Sequence, residues 1–243
     1  MQGKYKTFCS WSGGKDSALA LHLLMQNPQY QVEKLVTNIT KSSQRVTMHG
    51  VHLQLITQQS LAMALPLQTV LLPFEPGTTA YEKATNAALS QLANEGYTHG
   101  VFGDIFLEDL REYRVKQLAR FGMEAVFPLW QMDSNMVVQT LVQNGFKTIT
   151  VCVDGLKLDK SFLGRVIDEN FINTLPAGVD PCGENGEYHT FVFDGPLYKQ
   201  PVAFSQGQGS LQTYSSPLRS SNNAGNGTAT MGFWLLELLP VAP

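Results

Sequence analysis

Ser10-Trp11-Ser12-Gly13-Gly14-Lys15-Asp16-Ser17 stands where an opening β-strand is expected to turn into a helix. Before it, Tyr5-Lys6-Thr7-Phe8-Cys9 is a short β-prone run, and after it Ala18 to Leu24 is strongly helix-prone. Gly13 and Gly14 let the backbone approach an anion with no Cβ in the way. The free N–H groups and positive dipole end of the new helix then hold that anion. Ser10, Ser12 and Ser17 bring hydroxyls to the loop, and Lys15 adds a positive charge. A carboxylate at Asp16 would repel a phosphate, and it makes sense if a Mg²⁺ bridges the two. The Walker loop fits poorly. It needs Ser or Thr after Gly-Lys and a Gly five residues before its second Gly, and Asp16 and Cys9 occupy those places.

Working outward, strands and helices alternate. Residues 31–39 read as a second strand and 53–65 as a helix ending before Pro66. Residues 67–72 are β-like, 81–95 an amphipathic helix, 100–105 a buried strand and 108–121 a helix stopped by Gly122. Residues 136–144 form a further helix and 148–153 another strand. This β-α repeat predicts an α/β fold with a parallel sheet and helices on both faces. Ligands of such sheets bind beyond the carboxyl ends of the strands, where the Ser-Gly-Gly loop, Asn38, Gly103-Asp104 and Asp154 all fall. The expected organisation is an α/β domain over 1–155 that carries the anion-binding loop, a small annex over 156–204, and a Gly/Ser/Asn/Gln-rich flexible tail over 205–243. The apolar end of that tail, Phe233 to Leu239, docks back on the core, contacts a partner or surface, or is an accident of the chain end.

The 243 residues are 43% hydrophobic and 15% charged, ample for a core, and the net charge of −3 argues against a dedicated nucleic-acid binder. Three widely spaced cysteines and no Cys-x-x-Cys suggest reduced thiols in a cytoplasm and no zinc ribbon. The chain runs from Met1 directly into the first expected strand, and its apolar runs are too short for a membrane span. The oligomeric state is left open.

A second signature lies in Asp180-Pro181-Cys182-Gly183-Glu184-Asn185-Gly186-Glu187-Tyr188-His189-Thr190-Phe191. Gly183 and Gly186 permit positive φ, and Glu184 and Glu187 are then held close together, which suits a metal, an amine or a ribose hydroxyl. The Ser12–Ser17 loop resembles the Ser-Gly-Gly-x-Asp-Ser loop of the ATP pyrophosphatases. The glutamate-rich turn resembles the Cys-Gly-Glu-Gly-Gly-Glu-Tyr-Glu-Thr-Phe segment of the diphthine–ammonia ligase family. Residues 62–67, Gly103-Asp104-Ile105 followed by Arg114, Pro128-Leu129-Trp130, Leu163-Gly164 and residues 194–197 extend the likeness over about Phe8 to Tyr198. The chain departs from the pattern at Asn185, where the family has Gly, and at His189, where it has Glu.

That resemblance implies a Rossmann-type, HUP-like nucleotide α-hydrolase domain with a small second domain. It also implies ATP-dependent amidation: a carboxylate-bearing acceptor, a small molecule or a modified protein side chain, is adenylated with release of pyrophosphate, and ammonia then displaces AMP. ATP and Mg²⁺ are the implied cofactors. Lys15, Asp16, Glu184 and Glu187 are the implied catalytic set. Ser10, Ser12, Gly13, Gly14, Lys15, Asp16, Ser17, Asn38, Gly103 and Asp104 would bind nucleotide, with Asp16 on the metal. His49, His52, Arg114, Gly183, Gly186, Tyr188 and His189 would bind substrate. Simpler readings stand beside these: His49 and His52 as surface-loop residues, His189 as a structural histidine, Arg114 as the partner of a neighbouring acid. Two other functions share the loop: a tRNA-modifying ATP pyrophosphatase, which should show a basic surface and often paired cysteines, and a non-enzymatic adenine-nucleotide-binding module.

Overall fold

The computed structural model describes residues 4–47, 49–73, 77–216 and 229–241. The first half runs β1 (Tyr5–Ser10), α1 (Lys15–Met25), β2 (Tyr30–Thr40), β3 (Arg45–Val46), α2 (Leu53–Met63), β4 (Leu67–Leu72), α3 (Thr78–Asn94), β5 (His99–Val101), α4 (Glu108–Ala119) and β6 (Glu124–Val126). Five of these strands form a parallel sheet in the order β4-β2-β1-β5-β6, with β3 pairing antiparallel to the end of β2. The chain leaves β1 toward β2 and β4, then returns to place β5 on the other side of β1. The reversal opens a crevice beyond the carboxyl ends of β1 and β5, the place where such sheets bind ligands. The loop after β1 is Trp11 to Gly14, and the loop after β5 carries Gly103-Asp104. Gly96, Gly122 and Gly145 follow α3, α4 and the next helix with φ of 84°, 69° and 78°, the left-handed ending that favours glycine.

The second half differs from expectation. After α5 (Ser134–Gln143) come β7 (Lys147–Asp154), the short α6 (Glu169–Asn173), β8 (Tyr188–Asp194), β9 (Phe204–Ser216) and β10 (Ala229–Pro240). The last four strands make a separate antiparallel sheet in the order β8-β7-β10-β9. β7 was expected to continue the parallel repeat. It is buried over seven of its eight residues, Thr148 to Asp154, and a continuous buried run reads the same in either kind of sheet. The change of sheet therefore falls before β7 and not at residue 155. Asp154 is no cleft residue: it accepts the Leu156 N–H at 2.9 Å in the turn that follows the strand.

The expected flexible tail is also corrected over its described parts. β9 and β10 pair from Phe204↔Pro240 to Ser216↔Ala229. Phe233, Trp234 and Leu235 align with Asp154, Val153 and Cys152 of β7, and Leu238 is buried. The apolar end thus docks on the core. The loosest stretch, 220–227, lies outside the described residues. Arg45 Nη2 reaches Glu237 Oε1 at 2.5 Å and so ties the hairpin to the first sheet. Among the described residues, no helix is long and apolar enough to cross a membrane.

Candidate active site

The Ser-Gly-Gly loop is held from three sides. Gly13 has φ 81°, and a Cβ there would lie 2.6 Å from Ile56 Cδ1, so glycine is required for both conformation and space. The Gly13 carbonyl accepts from Val192 N of β8 at 2.9 Å and from Gln59 Nε2 of α2 at 3.0 Å. Gln59 is fully buried and fully used. Its Nε2 also donates to Val192 O at 2.6 Å, and its Oε1 accepts from Trp11 Nε1 at 2.8 Å. Sequence reasoning missed this residue, which looks like one more polar position on α2. Gly14 caps α1 with extended backbone and no capping side chain, and Lys15 N donates to Thr190 Oγ1 at 3.0 Å. The second sheet thereby fixes the helix N-terminus that faces the crevice.

The crevice is a cleft of ≈ 610 Å³. It brings together most of the expected residues: Ser10, Ser12, Lys15, Asp16 and Ser17 from the loop, Asn38 from β2, Gly103 and Asp104 after β5, Arg114 from α4, His49, and Gly183, Glu184, Gly186, Tyr188 and His189 from the glutamate-rich turn. Gly13 and Gly14 lie behind the surface as its scaffold. Val36, Val46, Leu72, Tyr81, Phe102, Leu107 and Leu110 also line it. These apolar residues carry no motif. They come from six separate elements and loops, and only the fold assembles them.

Lys15 is buried, with Nζ 2.8 Å from Asp16 Oδ2 and 5.2 Å from the Tyr188 ring centroid. Burial alone would lower its pKa, but the neighbouring charges, Asp16 first, and the hydrogen bond to Asp16 outweigh it and hold the ammonium above its ordinary value. The other oxygen, Asp16 Oδ1, is buried with no hydrogen-bond partner. An orphaned carboxylate oxygen beside a phosphate loop fits a divalent cation shared with phosphate oxygens. Among the described residues no group of three acidic, His or Cys side chains could cage a metal. Mg²⁺ takes one or two carboxylates and leaves its other positions to phosphate and water. Gly103 is packed so tightly under α1 that a Cβ would lie 2.7 Å from the Asp16 carbonyl carbon.

The two glutamates separate. Glu184 faces the cleft and accepts the Ile105 N–H at 3.1 Å. Burial, then the Asp16 charge, pushes its pKa up to about 7. Glu187 turns inward, and the expectation that it lies in the site is overturned. It is buried and paired with Lys157 Nζ at 3.2 Å, and it accepts Asn185 N at 3.0 Å. Burial pushes it up, but these hydrogen bonds prevail and hold its carboxyl below the ordinary range. Glu187→Gln therefore acts on the fold. It leaves an amide against backbone donors and removes the partner of Lys157, so about 1–3 kcal/mol of stability is lost. A depressed carboxyl pKa stabilises above the unfolded value and loses that effect as pH falls through the folded one. Thermal melts should show the Glu187→Gln deficit at pH 7 and its shrinkage toward pH 3, with ATP affinity within a few-fold of the parent.

Arg114 meets a neighbouring acid, with Nε 2.6 Å from Asp104 Oδ2 and the guanidinium 4.6 Å from the Phe102 ring centroid. Tyr188 donates its hydroxyl to the Pro181 carbonyl and closes the turn. Cys182 is buried, donates to Ser134 O at 3.1 Å and has its thiol pKa raised by burial, so it packs and does not attack. His52 is not part of the cleft. It caps α2 by accepting the Gln54 N–H at 3.2 Å, and it lines a separate depression with Gln44, Pro240 and Val241.

A parallel sheet whose switch point carries a glycine-rich strand-to-helix turn is a Rossmann-like α/β protein of the nucleotide-hydrolase kind. Residues 5–125 match the diphthamide synthase N-terminal domain and residues 133–213 the diphthamide synthase C-terminal domain. The chain belongs to the diphthamide synthase family. It is 31% identical over 109 residues to a diphthine–ammonia ligase of Bos taurus, a match covering 42% of this chain and 41% of that protein. A diphthine–ammonia ligase of Danio rerio is 31% identical over 121 residues, 47% of each chain. One of Schizosaccharomyces pombe is 29% identical over 119 residues, 47% of this chain and 20% of that protein. The match thus spans less than half the length of each of these relatives.

Proposed function

We propose that this chain is an ATP-dependent amide ligase. It adenylates a carboxylate, releases pyrophosphate, and passes the acyl group to ammonia. The observation that carries this reading is one cleft holding both the Ser12–Ser17 loop and a carboxyl, Glu184, whose pKa lies at about 7. The names of the relatives support the same chemistry.

ATP fits with its phosphates against the N-terminus of α1 and Lys15 and its base against Val36, Val46 and Leu72. Asp16 would hold Mg²⁺, which supplies charge neutralisation at the phosphates. The acceptor carboxylate oxygen attacks the α-phosphorus, and the bond to the β-phosphate oxygen breaks. The loop N–H groups and Lys15 take up the charge that develops on pyrophosphate. Ammonia then attacks the acyl carbon and AMP leaves. Ammonia is mostly ammonium at neutral pH, so a carboxylate of pKa about 7 both attracts the cation and accepts its proton. The parallel-sheet half is assigned to the nucleotide, and the turn before β8 to ammonia and acceptor. The acidic balance of the chain and its buried, unpaired cysteines do not favour the tRNA-modifying alternative. Incubation with ATP, ammonium and a panel of carboxylates, with separation of nucleotides, should yield AMP and pyrophosphate. ADP and phosphate as the products would sink the proposal.

A further inference from the structure

Thr190 follows the glutamate-rich turn and belongs to β8, in the second sheet. It is 1% exposed, yet it borders the cleft together with Lys15, Asp16 and Ser17. Its hydroxyl oxygen accepts the Lys15 N–H, the first backbone donor of α1, at 3.0 Å. Gly14 allows that approach, since a Cβ there would lie 3.1 Å from Thr190 Oγ1. The strand is held on both sides of this point. The Thr190 carbonyl accepts from His49 Nδ1 at 3.0 Å, and Val192 N donates to the Gly13 carbonyl at 2.9 Å. The hydroxyl is therefore fixed at the start of the helix. A threonine hydroxyl has two lone pairs and one hydrogen to give. One lone pair is used by Lys15 N–H. Among the described residues the Thr190 side chain makes no other hydrogen bond, so its own hydrogen has no acceptor among them. A buried donor left unused costs folding free energy, which points to an acceptor brought by a ligand. The hydroxyl sits at the positive end of α1, which favours an anion there. The bond it receives from Lys15 N–H also polarises it toward giving its own hydrogen.

We propose that Thr190 donates its hydroxyl hydrogen to an oxygen of the pyrophosphate half of ATP, so that the second sheet supplies a ligand to the nucleotide loop. The proposal rests on the ATP-cleaving reading and adds one residue to its phosphate site. The relay runs from Lys15 N–H through Thr190 O–H to the phosphate oxygen, and it carries the pull of the helix end further into the cleft. When the bond between the α-phosphorus and the β-phosphate oxygen breaks, the same donor takes up part of the charge on the departing pyrophosphate.

The test uses the full chain with inorganic pyrophosphate and AMP as the probes, titrated separately at saturating Mg²⁺. Thr190→Val keeps the β-branched shape and removes the hydroxyl. It should weaken pyrophosphate by about tenfold, the scale of one hydrogen bond, and leave AMP affinity unchanged. Thr190→Ser should stay within a few-fold of the parent for both probes. Thr190→Val also removes the partner of Lys15 N–H, so its melting temperature falls whether or not the hydroxyl meets a ligand. The hydroxyl hydrogen itself gives the deciding readout. In ¹³C-labelled protein dissolved in equal H₂O and D₂O, a hydroxyl that exchanges slowly splits its ¹³Cβ resonance into two lines. Thr190 should show one line in the free protein and with AMP, and two lines with Mg²⁺-pyrophosphate. A pattern that pyrophosphate does not change would overturn the proposal and leave Thr190 as a cap of α1. Equal weakening of pyrophosphate and AMP in Thr190→Val, or a shifted Mg²⁺ midpoint in place of a shifted pyrophosphate affinity, would overturn it as well. If pyrophosphate splits the line while no carboxylate yields AMP, the phosphate contact stands and the ligase reading falls.

Discussion

Asp16→Asn should lower ATP cleavage by about 10²–10³, the usual effect of removing one preorganised charge-stabilising group from a transition state. The argument begins with geometry. One oxygen of Asp16 is bonded to Lys15, and the other is buried with no partner. Leaving a buried carboxylate oxygen unsatisfied costs folding free energy, so the position is kept for what it binds. An asparagine retains an oxygen for Lys15 and loses the charge that a divalent cation needs. The variant should therefore fold, with a melting temperature lowered only modestly, and should need far more Mg²⁺ to reach its reduced maximum. Ser17→Ala is the companion test. Ser17 Oγ donates to the Gly14 carbonyl at 2.9 Å and lies 3.2 Å from Ser12 Oγ, so its loss loosens the loop without altering charge. Unchanged turnover and Mg²⁺ dependence in Asp16→Asn would remove the metal from the account.

The first sheet was legible because its signals are local. Four of its six strands, β1, β2, β4 and β5, stand out as β-prone runs, while the short β3 and β6 do not, and glycines with positive φ stop three of the helices. The second sheet was not, for two physical reasons. Gln206 to Ser216 is polar and glycine-rich, so its composition is that of a linker. It becomes a strand only because β10 supplies a hydrogen-bond ladder. β7, buried from Thr148 to Asp154, lacks the alternation that distinguishes a half-solvated antiparallel strand, so its sequence could not say which sheet it joins. The same limit governs the glutamate pair. Glu184 and Glu187 are chemically alike and three residues apart. Which one turns inward is set by Gly183 and Gly186, at φ 65° and 83°, and by Lys157, a partner thirty positions away. Arg114 likewise reads as a phosphate ligand or an ion-pair partner until Asp104 is found 2.6 Å from it.

Because Glu184 is the glutamate that faces the cleft, Glu184→Gln should lower amide formation by about 10²–10⁴, the scale of losing a general base. ATP affinity should stay within a few-fold, since Glu184 is bonded to Ile105 N and not to the Ser-Gly-Gly loop. In the parent the ammonia-transfer step should rise with pH through about 7, where the carboxyl gives up its proton. Burial is the larger cause of that high value and the Asp16 charge the second, so Asp16→Asn should move the rise to lower pH. The same shift makes a statement about stability. A carboxyl whose folded pKa lies above its unfolded value carries no penalty below the unfolded value. The penalty grows as pH rises and is complete above the folded one. Glu184→Gln should therefore stabilise the protein at pH 8 by about 1–2 kcal/mol, once the shift is discounted for the part of the side chain that water reaches. At pH 4 it should change little. A variant that is slower in amide formation yet melts higher at alkaline pH is the signature of a residue kept for chemistry at the expense of the fold. If Glu184→Gln instead destabilises equally at both pH values while its pH–rate profile is unchanged, the carboxyl only braces the loop after β5, and ammonia must be deprotonated by another group.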